Sequence, residues 1–234
     1  MASHSPTTYD LNRERLATYF DSTARKAWID LTSDAKVSGV RATVRAGREA
    51  MRDLLLGWLP GDLRRTRLLD AGCGTGAFSV AAACRGAEVT GVDVAAGLVE
   101  VAKKRTPSFI GHGRIDWRAG DMLDPALGEF AHVVAMDSLI HYERDDLVLA
   151  LERLGERCSS SILFTYVPHN LVLGAMYRAG KFFPRADRSP RLVPLAQTDL
   201  HAALAGLRDW QIGRSERISS GFYTSHAVEL VRRA

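Results

Sequence analysis

The sequence predicts a doubly wound α/β fold: a mostly parallel seven-stranded sheet that ends in an antiparallel hairpin and follows a helical N-terminal arm. From Leu68 onward, short apolar runs alternate with helical patterns, as successive βαβ units require. The run Leu68-Leu69-Asp70-Ala71 leads into closely spaced glycines and then into a helical pattern. Near the C-terminus, Trp210–Arg217 and Phe222–Val231 read as two strands joined through Ser219-Ser220-Gly221, which suits a hairpin on a sheet edge.

Residues 1–60 are expected to form a helical arm or cap. Val37, Val40, Val44, Met51, Leu55 and Trp58 share one helical face there, and Pro60-Gly61 ends it. Arg41, Arg45, Arg48 and Arg52 follow at i, i+4, i+7 and i+11 on the opposite face. Such a stripe is expected to be a solvated outer face, the alternative being an anionic substrate or membrane headgroups. Residues 61–234 are expected to form the main domain. Its strands are predicted at Arg67–Asp70, Glu88–Val92, Arg114–Ala119, Ala131–Met136 and Ser161–Tyr166, with helices at Ala77–Cys84, Ala95–Arg105, Asp145–Glu156 and Gln197–Leu207. A lid-like insertion is expected at about 168–195, where Pro184, Pro190 and Pro194 bracket Lys181, Arg185, Arg188 and Arg191.

Bulk composition sets broad limits. A chain of 234 residues with 46% hydrophobic and 25% charged residues can bury one sizeable α/β core and does not read as disordered. No apolar stretch approaches a bilayer span, and the polar Met1–Asp10 segment does not read as a signal peptide. Cys73, Cys84 and Cys158 form neither a paired framework nor a metal-ligand spacing, which fits a reducing, cytoplasmic compartment. A net charge of +4 permits anionic ligands, nucleic acid or a membrane surface without choosing among them.

The glycine segment narrows the chemistry. In Asp70-Ala71-Gly72-Cys73-Gly74-Thr75-Gly76-Ala77 a strand turns through glycines into a helix whose N-terminus offers unpaired N–H groups. Gly72-x-Gly74-x-x-Ala77 also satisfies the dinucleotide pattern, so a nicotinamide-binding oxidoreductase is one reading. Three features favour S-adenosylmethionine. Asp70 stands two residues before the first glycine, placed for an ammonium group. The glycines continue to Gly76, and a second acid, Asp121-Met122, follows the third strand after Asp93-Val94 ends the second. Asp93 suits two ribose hydroxyls, Asp121 the adenine amino group, and Met122 the adenine ring. Glycine-rich turns also occur without ligands, and Asp121 could merely cap a turn.

The fourth strand runs into Met136-Asp137-Ser138-Leu139-Ile140-His141-Tyr142, which should line the reaction site at the strands' carboxyl ends. The Asn/Asp-Pro-Pro-aromatic motif of nucleic-acid methyltransferases is missing there, which counts against a nucleic-acid partner. His141 is the side chain best suited to proton transfer, hydrogen bonding or metal ligation, or else it ties the loop to backbone.

Beyond the cofactor motif, several segments stand together. They are Tyr19-Phe20 followed by Trp28, Leu56-Gly57-Trp58-Leu59, Leu139-Ile140-His141-Tyr142, Phe182-Phe183-Pro184 and Phe222-Tyr223. On these the chain resembles the magnesium-protoporphyrin IX O-methyltransferases of chlorophyll and bacteriochlorophyll synthesis. The resemblance implies a class I, Rossmann-like methyltransferase. It would esterify the 13-propionate of Mg-protoporphyrin IX, with Tyr19 and His141 in catalytic roles. It also implies substrate contacts from Phe20, Tyr142, Phe183, Arg185 and Tyr223, a magnesium chelatase partner, and peripheral contact with the photosynthetic membrane. Tyr9 competes with Tyr19 for the arm-tyrosine role. An O-methyltransferase for another lipophilic molecule, such as a quinone precursor, and a non-catalytic pigment carrier are the remaining alternatives.

Overall fold

The computed structural model of the chain describes residues 6–32, 38–169 and 192–233. Seven strands run in the order β3-β2-β1-β4-β5-β8-β7. They are β1 (Arg67–Ala71), β2 (Glu88–Asp93), β3 (Arg114–Ala119), β4 (Phe130–Ala135), β5 (Cys158–Pro168), β7 (Trp210–Ser220) and β8 (Tyr223–Arg232). The first five pair in parallel, and β8 runs antiparallel to both β5 and β7. A two-residue strand that the sequence does not announce, β6 (Pro194–Leu195), pairs with the end of β5.

Seven α-helices accompany the sheet among the described residues: α1 (Thr8–Thr18), α2 (Arg25–Leu31), α3 (Gly39–Trp58), α4 (Ala77–Cys84), α5 (Ala96–Arg105), α6 (Arg144–Gly155) and α7 (Gln197–Leu204). Local chemistry explains where two of the arm helices begin. Thr7 and Asp10 close a reciprocal capping box at the start of α1, and the Ser38 hydroxyl accepts from Arg41 N at the start of α3. A short π-helical turn, Tyr19–Thr23, joins α1 to α2.

The period-2 alternation of strand side chains divides the core in two. Leu69, Val133, Ile162 and Val228 face α6 and α7, whereas Leu68, Val134, Leu163 and Ala227 face α3 and α4. Met51 and Leu55, expected on the apolar face of α3, are wholly buried, while Val40 lies exposed near the helix start. The order in which successive strands are added reverses between β1 and β4, and such switch points open a crevice at the strands' carboxyl ends. The arm helices lie over that end, with Tyr9 and Leu16 of α1 joining the same core as α6.

Helix α3 seats on the hairpin through Gly47, where an added Cβ would stand 2.4 Å from Tyr223 Cδ1. At Gly57 of the same helix a Cβ would meet nothing within 4 Å. The two glycines should therefore respond oppositely to alanine. Gly57→Ala is expected to stabilise by about 0.5–1 kcal/mol, because alanine loses less backbone freedom in a helix. Gly47→Ala is expected to destabilise by about 1–3 kcal/mol in spite of the same propensity gain, because the Tyr223 ring is buried and hydrogen-bonded. Urea unfolding of the two variants checks both signs.

Candidate active site

A cavity of about 270 Å³ opens at the carboxyl ends of β1, β2 and β4. Its first wall is the β1–α4 turn. Gly72 has φ of +88°, and a Cβ there would fall 2.3 Å from Ser138 Cβ, so only glycine lets the turn pass this close to the β4 end. Gly74 also has positive φ, at +53°, and its N–H donates to Asp93 Oδ2 at 2.8 Å. The other Asp93 oxygen accepts from Ala95 N at 2.9 Å, so one carboxylate ties the glycine turn to the start of α5. Gly76 lies outside the cavity lining, in left-handed conformation at the cap of α4.

Two acids on this wall are shifted upward by burial. Burial pushes Asp70 up to about 7, with the Ser79 hydroxyl bond pulling it down and the neighbouring Asp93 charge adding to the rise. Asp93 is raised as well, chiefly by burial, with the N–H donors of Ala95 and Gly74 opposing. An ammonium group would reverse the burial penalty on Asp70 by pairing with its charged form. The hydroxyl of Ser138, buried against Gly72, has no hydrogen-bond partner among the described residues, and such a group is free to bond a polar ligand. The residues fit an amino-acid head group in the turn and vicinal hydroxyls at Asp93. Val94, Met122 and Met136 line the cavity beside them as the apolar contacts expected for a purine.

The second wall comes from the arm and the loop after β4. His141, buried at 8% exposure, faces the cavity with its ring 6.0 Å from that of Phe20, and its carbonyl accepts from Asn12 Nδ2 at 2.6 Å. Phe20 packs edge-on against Trp28 at 5.5 Å, and a Cβ on Gly74 would stand 3.3 Å from Trp28 Nε1. Trp28 therefore spans from the aromatic cluster to the glycine turn. Tyr142 also lines the cavity, stacked on Tyr9 at 5.0 Å between centroids.

Three expected site residues, besides Gly76, sit elsewhere. Tyr19 packs edge-on against Phe20 at 5.3 Å outside the cavity lining, and burial raises its hydroxyl. Asp121 is likewise outside the lining and is clasped by the arm, accepting from Tyr9 Oη at 2.8 Å, from Arg13 and from Leu123 N. Burial drives the Tyr9 hydroxyl far above its ordinary range, with the Tyr142 and Asp121 charges adding. Tyr223 sits behind the cavity on Asp137 rather than in its lining. Phe183 and Arg185, with most of the expected lid at 168–195, lie outside the described residues.

The arginine stripe of α3 departs from the expected solvated face. Arg45, Arg48 and Arg52 all line the cavity, because the polar side of α3 is turned toward α2 and the loop after β4. Arg48 Nη1 donates to Asp137 Oδ2 at 2.6 Å, and its guanidinium lies 4.6 Å from the Trp28 ring centre. Asp137 has φ of +54°, rare for a residue with a Cβ, and also accepts from Tyr223 Oη, Ser225 Oγ and Thr165 Oγ1. Asp137 falls in the segment expected to line the site, but sequence reasoning gives neither it nor Trp28 a role of its own there. The partners of Asp137 are 28 to 89 residues away, beyond any local pattern.

Comparison with known proteins agrees with this geometry. Residues 68–159 match the methyltransferase domain model, and residues 135–232 match the model described as magnesium-protoporphyrin IX methyltransferase C-terminus. A magnesium-protoporphyrin O-methyltransferase of Rhodobacter capsulatus is 44% identical over 96% of this chain and 98% of its own length. The same enzyme of a Synechocystis strain is 28% identical, covering 92% and 94%. The crystal structure of the magnesium protoporphyrin IX methyltransferase from Synechocystis PCC 6803 with bound SAH superposes with a TM-score of 0.83 at 26% identity, covering 94% of this chain and 99% of that one. The chain belongs to the magnesium-protoporphyrin O-methyltransferase family.

Proposed function

We propose that the protein transfers the methyl group of S-adenosylmethionine to a propionate carboxylate of Mg-protoporphyrin IX, the 13-propionate by family resemblance, giving the monomethyl ester in chlorophyll or bacteriochlorophyll synthesis. One observation supports this most strongly. A single cavity joins an acid-and-glycine wall suited to an amino-acid nucleoside with an opposing wall of arginines and aromatic rings. Such an opposing wall suits a flat, apolar acceptor that carries anionic arms.

When bound, the cofactor supplies an electrophilic methyl sulfonium. The protein's part is then chiefly alignment. A propionate titrates near ~4, so at neutral pH it needs no strong base. Holding an oxygen in line with the methyl group, in a site that excludes water, can contribute ~7–11 kcal/mol. Asp70, Gly72 and Gly74 would hold the amino-acid end, Asp93 the ribose, and Val94, Met122 and Met136 the purine side. Gly76 would act by shaping the turn. Asp121 would take the adenine amino group alongside its bonds to the arm. His141 would position the carboxylate, with Tyr19 acting through Phe20, and Phe20 and Tyr142 would meet the macrocycle. Phe183 and Arg185 remain proposed substrate contacts, while Tyr223 would act at one remove by positioning Asp137. Among the described residues no helix is long and apolar enough to cross a membrane. Peripheral association with the photosynthetic membrane, and hand-over of pigment from a magnesium chelatase, fit a lipophilic substrate and a net charge of +4.

Purified protein incubated with S-adenosylmethionine and Mg-protoporphyrin IX is expected to yield one methyl ester, read by chromatography and mass. Metal-free protoporphyrin and a phenolic quinone precursor serve as comparison substrates. Retained SAH binding with methyl transfer only to the phenol, giving a methyl ether, would overturn the pigment assignment while leaving the methyltransferase reading intact.

Cofactor binding should also depend on pH through Asp70. Below about 7 this acid is mostly protonated in the free protein, yet the ligand's ammonium pairs with the carboxylate, so binding must expel a proton. SAH affinity is therefore expected to rise with pH, being roughly eightfold weaker at pH 6 than at pH 7.5. Calorimetry in buffers of different ionisation enthalpy should show the released proton, and Asp70→Asn should bind more weakly with a flat profile. A flat profile in the unmodified protein would contradict the assignment.

A further inference from the structure

Resting on the proposed function, we infer that Arg48 is a specificity-determining residue of the acceptor site, reading the substrate carboxylate that is not methylated. The other arginines of α3 are differently placed. Arg41 does not line the cavity. Arg45 is spent on the arm, donating through Nε to Leu31 O at 2.9 Å and through Nη2 to Asp30 O at 2.8 Å. Arg52 forks onto its exposed neighbour Asp53 at 3.1 and 3.0 Å.

Arg48 is held from two sides while facing the cavity. Nη1 is fixed by Asp137, and the flat face is covered by Trp28. Its side chain keeps 20% exposure, whereas that of Asp137 keeps 2%. Both residues line the cavity, but both Asp137 oxygens already accept hydroxyl donors, so the more exposed member with donors to spare is the cation. A guanidinium carries five N–H donors in a rigid fork, and one nitrogen on Asp137 leaves capacity for a carboxylate.

Chemistry decides which carboxylate this is. A guanidinium bonded to the reacting oxygens would draw off the electron density that attacks the methyl group. The same cation on the other arm of a dicarboxylate orients the substrate at no such cost. The esterified product still carries the second carboxylate, so it should keep the Arg48 contact.

The test measures binding of three pigments in the presence of SAH, by pigment absorbance: Mg-protoporphyrin IX, the monoester the protein makes, and the dimethyl ester. In Arg48→Met the diacid and the monoester are both expected to weaken roughly 10- to 100-fold while the diester changes by no more than about twofold. Arg48→Lys keeps a cation beside Asp137 and serves if the methionine variant does not fold. It is expected to lose a smaller part of the same discrimination. Equal weakening of all three pigments would overturn the inference in favour of a structural role. Weakening of the diacid alone would place Arg48 on the reacting carboxylate and overturn it too. If the unmodified protein binds SAH but none of the pigments, the proposed function itself fails.

Discussion

The ion pair between Arg48 and Asp137 is the constraint on which the acceptor half of the site depends. Asp137 stands just past the end of β4 in a left-handed conformation that costs about 1–2 kcal/mol for a residue with a Cβ. The conformation persists because the surroundings over-determine it. Its N–H donates to Thr165 Oγ1 at 2.8 Å, and three hydroxyls from β5 and β8 converge on its carboxylate. Once the carboxylate is fixed, Arg48 is fixed, and with it the polar face of α3. Removing one partner of so enclosed a pair typically costs about 3–5 kcal/mol of folding stability, because the other charge is left buried without its counter-ion.

On the cofactor side an analogous role falls to backbone rather than to an ion pair. Gly72 and Gly74 take positive φ values, and the first of them lets the turn pass within touching distance of Ser138. Asp93 then fastens the turn to α5. The arm closes the assembly from above through small polar contacts: Tyr9 and Arg13 to Asp121, Asn12 to the His141 carbonyl, and Asp21 to Gly97 N. One chain segment therefore touches the second-acid loop, the histidine loop and the start of α5 at once. The aromatic rings of Phe20 and Trp28 are delivered to the cavity by the same segment, so substrate wall and cofactor cover are mechanically one element.

Much of the fold was legible because it rests on local, periodic signals. Strands β1 to β4 and helices α4 to α6 appear within one residue of their expected ends, since alternation and helical spacing are written into adjacent residues. The glycine turn with Asp70 and Asp93 was legible for the same reason. What failed to show was long-range. The α3 arginines carry the spacing of a solvated stripe, and nothing nearby in sequence reveals that the arm folds across them. Asp137 looks like an ordinary residue after a strand until β5, β8 and α3 converge on it. Tyr9 precedes any recognisable pattern, yet its ring stacks on Tyr142 and its hydroxyl meets Asp121, whereas Tyr19 lies one layer behind Phe20.

The most direct test of a two-walled site is a crystal structure of the protein with SAH and Mg-protoporphyrin IX bound together. The expected density places the amino-acid end of SAH against Asp70 and the glycine turn. One pigment carboxylate should lie beside the cofactor sulfur, near His141, and the second within hydrogen-bond distance of Arg48. A pigment bound outside the cavity, or one whose carboxylates both point away from α3, would contradict the account.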